Sequence, residues 1–222
     1  MNKIIKVTGK GKLFLKPDMI RLMIELRDVK ENYEETLEQS SLQVGILKDC
    51  IEKLGFDRSD LKTQHFNVDT KYEGYHDEKG NWKNKFVGYE FVHSMKLEFD
   101  VDNKKLGQLL YAFSHTSVHP QLHMEYTIRD VEAAKNELLA KAVADSKMKA
   151  KVLSEAAGVE LGDIVTIDYS WDEIAFKTVP MERCVTLAKS AGGASDGCYD
   201  MDIEADDIKV SDCVTVVWEI KG

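Results

Sequence analysis

Three histidines, His115, His119 and His123, recur at i, i+4 and i+8. On one continuous helix that spacing would align three imidazoles on a single face, an arrangement that can ligate a divalent metal. Pro120 argues against the helix, because it has no amide donor and disfavours helical geometry at His119. The reading is therefore three surface histidines around a turn, His123 lying on the polar face of a strand that starts at Leu122. No metal and no cofactor are expected.

Gly9-Lys-Gly11 has the look of an opening phosphate loop, but no third glycine and no helix follow it. Within an alternating strand, two glycines instead signal a bulge or a close backbone approach. The acidic run Asp196, Asp200, Asp202, Glu204, Asp206 and Asp207 offers hard oxygen ligands, yet does not fit the calcium-loop spacing, which needs a glycine at its sixth position and a bidentate glutamate at its twelfth. A solvated acidic loop is the default. His93 falls on the apolar side of a strand and reads as a hydrogen-bonded core histidine. No G-x-S-x-G, no H-E-x-x-H and no framed Cys-His pair is present. No catalytic residue is assigned, and the protein is read as not an enzyme.

These residues sit in a chain of 222 amino acids with net charge -9. Nucleic acid and anionic membranes both require a basic footprint, so neither is an expected partner. No apolar run approaches the ~18 residues of a membrane span. Met1-Asn-Lys3 passes directly into strand alternation without an apolar leader. As written, the chain reads as cytoplasmic; the alternative is a periplasmic protein trimmed to its mature start. Cys50, Cys184, Cys198 and Cys213 form no C-x-x-C pair and are expected to be reduced, with Cys184–Cys198 pairing as the alternative on export.

The elements follow from period. Ile5 to Leu15 and Ile20 to Leu26 alternate around Pro17-Asp18 and predict a hairpin. Tyr33 to Leu54 has helical spacing, starting at Asn32 and stopping at Gly55. An extended segment follows from Leu61, and Tyr72 to Asn84 reads as a polar hairpin loop. Val87, Tyr89, Phe91, His93, Met95, Leu97, Phe99 and Val101 predict one face of a long strand, with Gly88, Glu90 and Ser94 opposite. Asp102 caps a short helix. Asp130 caps a long one whose buried stripe is Ala134, Leu138, Ala142, Ser146, Lys149 or Ala150, Leu153 and Ala157. Gly158 stops it. Strands follow at Ile164 and Ile208, with a loop over residues 175–206 between them. The expectation is an α+β fold, an antiparallel sheet with helices on one face, in two partly similar β/α halves of about 1–83 and 84–222.

Tyr72, Tyr75, Trp82, Phe86 and Tyr89 surround the central hairpin. Tyr89 faces the core by period, whereas Tyr75 and Trp82 should be exposed. Exposed aromatics at a hairpin tip favour a protein interface; the alternative is a tip packed on itself.

Val7-Thr-Gly-Lys-Gly11 with Pro17-Asp18, Gly88-Tyr89 before a long strand, Arg129-Asp130 through Ala156-Ala-Gly-Val159 and the closing Val214 to Ile220 together resemble the SIMPL-domain family. The resemblance spans nearly the whole chain, as a single SIMPL-like domain. It implies an α+β fold, homo-oligomers in at least some members, and no established enzymatic activity, cofactor or catalytic residue. Its members include periplasmic immunogenic and oxidative-stress-defence proteins. The leading expectation is a self-associating assembly module tied to envelope integrity or stress tolerance. The alternatives are a module that binds a peptide or small ligand under a 175–206 lid, and a metal-dependent enzyme.

Overall fold

In the computed structural model, residues 3–169, 174–178, 198–199, 201 and 203–221 are described. The order is β1 (Ile4–Leu15), β2 (Met19–Lys30), α1 (Tyr33–Lys53), a 3₁₀ turn (Arg58–Asp60), β3 (Lys62–His76), β4 (Trp82–Asp100), α2 (Asn103–Ser114) and β5 (Gln121–Thr127). It continues with α3 (Val131–Ala157), β6 (Glu160–Asp168), the two-residue β7 (Lys177–Thr178) and β8 (Ile208–Lys221). Antiparallel sheets and three helices make this an α+β fold, as the alternation implied. The chain forms two compact units, one of residues 1–18, 127–178 and 205–222, the other of residues 19–126 and 179–204.

The predicted hairpin between the first two strands does not form. β1 pairs with β8 along its whole length, Ile4 opposite Glu219 and Leu15 opposite Ile208, whereas β2 pairs with β4. Alternation fixes which side chains share a face but not which strand lies alongside. Asp18 is committed elsewhere: its carboxylate accepts from the Arg129 N–H at 2.8 Å and its own N–H donates to the Thr127 carbonyl.

In the first unit the strand order is β1-β8-β6, with α3 laid across β1 and β8. The Asp130 carboxylate accepts from the Ala133 N–H at 2.8 Å and caps α3; Gly158, at φ 69°, ends it in the left-handed region where a side chain is strained. The buried stripe is Ala134, Leu138, Ala142, Ser146, Ala150 and Ser154. Beyond Ala150 it departs from the sequence reading, since Ser154 is buried while Leu153 is 50% exposed and Ala157 is exposed. Small residues at every fourth position let the helix backbone sit on the strand. A Cβ on Gly9 would overlap the Ala142 carbonyl, and one on Gly11 the Leu138 carbonyl. The close approach expected of these glycines is thus what they provide. Val7, Val214, Val216 and Trp218 pack beside Ala142 and Ala150; Leu13, Ile208, Val210 and Phe176 pack beside Ala134 and Leu138.

The second unit carries strands in the order β3-β4-β2-β5. β2 turns Ile20, Leu22, Ile24 and Leu26 inward against Phe91, Met95, Leu97 and Phe99 of β4, and α1 packs on both strands and on α2. α1 buries Thr36, Ser40, Leu47 and Ile51, leaving Tyr33 and Leu37 more exposed than their helical spacing implied. The Asp102 carboxylate caps α2 through the Lys105 N–H at 2.9 Å. Tyr199 docks on α2, its N–H donating to the Gly107 carbonyl and its ring lying edge-on to Tyr111. The Ile203 carbonyl accepts from Asn103 and from the Tyr126 hydroxyl.

Candidate interaction surface

β3 and β4 extend well past the helices as a two-stranded arm. Only two of the fifteen β3 residues are even half-buried, and β4 is exposed from Trp82 to Phe86. The predicted loop of residues 72–84 is therefore largely strand, and the turn is only Asp77 to Asn81. Asp77 closes that turn by accepting from the Lys79 and Asn81 N–H groups at 3.0 and 2.9 Å, while Gly80 takes φ 77°. The Asn81 amide and the Lys83 ammonium beside it hold the Asp77 carboxyl below the usual carboxylate range.

The arm has two unlike faces. His76 lies opposite Trp82 and Tyr72 opposite Phe86 across the strands. Ring centroids in these pairs are 4.9 and 5.6 Å apart, both edge-to-face. The Trp82 ring covers Gly74 so closely that a Cβ there would overlap it. On the other face Tyr75 lies opposite Lys83 and Glu73 opposite Lys85. Tyr75 and Trp82, both expected to be exposed, are 46% and 64% exposed, on opposite faces. Trp82 also packs on its own strand neighbours, so exposure and self-packing coexist.

A bulge joins this aromatic face to the core. Lys71 pairs with Gly88 but Tyr72 with Phe86, so Val87 is the extra residue. Gly88 takes φ 139°, and a Cβ there would strike the Lys30 carbonyl. The sequence reading placed Val87 with Tyr89; the bulge places Phe86 there, with ring centroids 5.5 Å apart. Tyr89 in turn meets Tyr33 of α1 edge-on at 5.4 Å. The row Trp82, His76, Tyr72, Phe86 and Tyr89 thus continues the helix-facing side of the sheet. Beyond Tyr33 no helix covers it among the described residues, leaving Tyr72 55% and Phe86 44% exposed.

At the root of the arm His93 bridges three elements. Its Nδ1 lies 3.1 Å from the Ser40 hydroxyl on α1 and its Nε2 2.8 Å from the Thr63 hydroxyl on β3, with Phe66 edge-on to the ring. Burial pushes the imidazole below its ordinary pKa, and the Lys48 charge adds to this. With both nitrogens engaged, His93 is the hydrogen-bonded core histidine that its strand position implied.

The other sequence candidates do not gather. His115 caps the C-terminus of α2 and stacks on Tyr111 at 4.1 Å, His119 lies in the turn, and His123 lies on β5 with Nε2 3.7 Å from Glu125. Among the described residues no three His, Cys, Asp or Glu side chains converge on a common point. Cys50, Cys198 and Cys213 are free thiols. Cys184, its pairing with Cys198, and the acidic residues Asp196, Asp200 and Asp202 lie outside the described residues, as does most of the 175–206 segment. A depression of about 230 Å³ between β2, β4 and β5, lined by Met23, Glu25, Ser94 and His123, is below the roughly 300–1,000 Å³ of typical ligand pockets. No helix among the described residues is long and apolar enough to cross a membrane.

Comparison with known proteins adds no chemistry. The chain is 29% identical over 219 residues to a 26 kDa periplasmic immunogenic protein of Brucella melitensis biotype 1. It is 28% identical over the same span to the protein of that name from Brucella abortus strain S19. Each alignment covers 98% of this chain and 84% of the relative. The model of the SIMPL family, described as a protein of unknown function, matches residues 5–218, and the chain belongs to that family.

Proposed function

We propose that this protein is a non-enzymatic, self-associating component of the cell envelope, and that the β3–β4 arm makes the contact. The observation that carries this reading is the aromatic face of the arm. It is a continuation of a folded core, built of paired rings in fixed geometry, yet it is left in water. Exposed contiguous apolar surface of this kind marks an interaction site. A second copy is favoured as the occupant by charge. Residues 62–86 hold five lysines against four acidic residues, in a chain of net charge -9. The arm thus carries a slight positive excess within an acidic molecule, and so complements the acidic surface of its own kind. The periplasmic name of the relatives supports an exported setting.

Light scattering on a size-exclusion column tests the reading. The wild type is expected at a discrete multiple of the 25.2 kDa protomer, and Tyr75→Ala/Trp82→Ala at the protomer mass. A wild-type monomer at high concentration would sink self-association.

A further inference from the structure

The first unit has two sheet edges, and they are treated differently. At the β1 edge, α3 covers the backbone: Asp145 accepts from the Lys10 N–H at 2.7 Å and the Lys149 ammonium donates to the Thr8 carbonyl at 3.3 Å. Side chains that occupy edge amides and carbonyls prevent another strand from pairing there. The β6 edge has no such cover among the described residues. It also carries Ile164, Val165 and Ile167 at 44%, 48% and 53% exposure. Ile164 lies opposite Trp218 and Ile167 opposite Val216, both buried beneath α3. The two isoleucines therefore extend the helix-facing side of this sheet beyond its helix, as the aromatic row does in the other unit.

We propose that the β6 edge is the receptor for the arm: β3 of one copy adds as a strand alongside β6 of the next. This rests on the self-association reading and specifies its second half. β3 is itself an edge strand, with its outer backbone groups available to a ladder. β6 carries Glu160, Asp163 and Asp168 with no lysine or arginine, whereas β3 carries Lys62 and Lys71 against Asp69 and Glu73 and can lie beside it without net like-charge repulsion. Two copies of β6 laid antiparallel would instead bring like charges together, which disfavours pairing of β6 with itself. The contact is head-to-tail, each copy giving an arm and receiving one.

The test uses two full-length variants, an edge variant, Val165→Lys/Ile167→Lys, and the arm variant, Tyr75→Ala/Trp82→Ala. Lysine on an edge strand blocks pairing. Each variant alone is expected at the 25.2 kDa protomer mass, and an equimolar mixture at twice that mass and no higher, because only one intact arm meets one intact edge. An edge variant that keeps the wild-type mass overturns the β6 assignment and leaves self-association standing. Variants that each stop at a homodimer, or a mixture that stays monomeric, also overturn it. A monomeric wild type removes the reading beneath it. Circular dichroism melts confirm folding of each variant; if the double edge change fails to fold, Ile167→Lys alone replaces it, with the same expected outcomes.

Discussion

The Lys10 N–H donates to the Asp145 carboxylate at 2.7 Å, while Lys149, one turn further along α3, pairs with the same carboxylate at 2.7 Å and reaches the Thr8 carbonyl. One i,i+4 ion pair thus fastens a helix to a sheet and closes that sheet's edge. Asp145→Ala should cost about 1 kcal/mol from the lost hydrogen bond. It should also expose an unpaired edge. Chemical denaturation measures the first, and turbidity on gentle heating the second. Unchanged values in both would refute the double role. Lys149 and the Lys10 amide hold the Asp145 carboxyl below its ordinary pKa. Its contribution is therefore present above the unfolded carboxylate value, about 3.9, and lost as pH falls through the lower folded value.

Gly9 and Gly45 make a contrasting pair. A Cβ on Gly9 would meet the backbone of Ala142 and Ser146, which cannot yield without moving α3. Gly9→Ala should cost on the order of 3 kcal/mol or prevent folding of the first unit. Gly45 lies within α1 with open space around it. Gly45→Ala should stabilise by about 0.5–1 kcal/mol through helix propensity and unfolded-state entropy. Melting temperatures that shift equally would contradict this account.

His93 gives a pH signature. Its folded pKa lies below the unfolded value of about 6.5, so the unfolded chain binds the extra proton first. The stabilising contribution is full above pH 6.5 and is lost as pH falls from there through the folded pKa. A series of melts between pH 8 and 5 should show that decline, and His93→Gln should flatten it. An identical decline in the variant would assign it to other groups.

Trp218 is buried, and its indole N–H finds no acceptor among the described residues. Trp218→Phe keeps most of the ring and removes the orphan donor, so it should stay within about 1 kcal/mol of the wild type. Trp218→Ala should cost about 3–5 kcal/mol through the cavity left between β8 and α3. A large loss in the phenylalanine variant would point to a hydrogen bond at Nε1.

Local rules were legible in the chain where the cause is local. Asp102 and Asp130 cap helices because a short acidic side chain can reach the third amide, and Gly158 ends α3 because only glycine sits easily at φ 69°. The inward faces of β2 and β8 followed from alternation. What was not legible is set by distant partners. The pairing of β1 with β8 depends on residues at the far end of the chain. The Val87 bulge depends on Lys30 crowding Gly88, and so the continuity of Phe86 with Tyr89 could not be read from period two. Leu153 lost its place in the stripe because the sheet beneath α3 selects a strict four-residue row. At the interaction surface, the exposure of Tyr75 and Trp82 was legible, whereas their placement on opposite faces emerges only from the register.

The pairing of β1 with β8 also fixes an order of events during synthesis. β1 leaves the ribosome roughly two hundred residues before β8, the strand it pairs with. β2, β3 and β4 have their sheet partners within residues 19–126 and can pair while the chain is still growing. Through all that time Ile5, Val7 and Leu13 wait without a sheet, and α3, once made, has β1 but not β8 of the two strands it covers. The nascent chain therefore carries one half largely paired and one half open, and the open one is what a chaperone would meet.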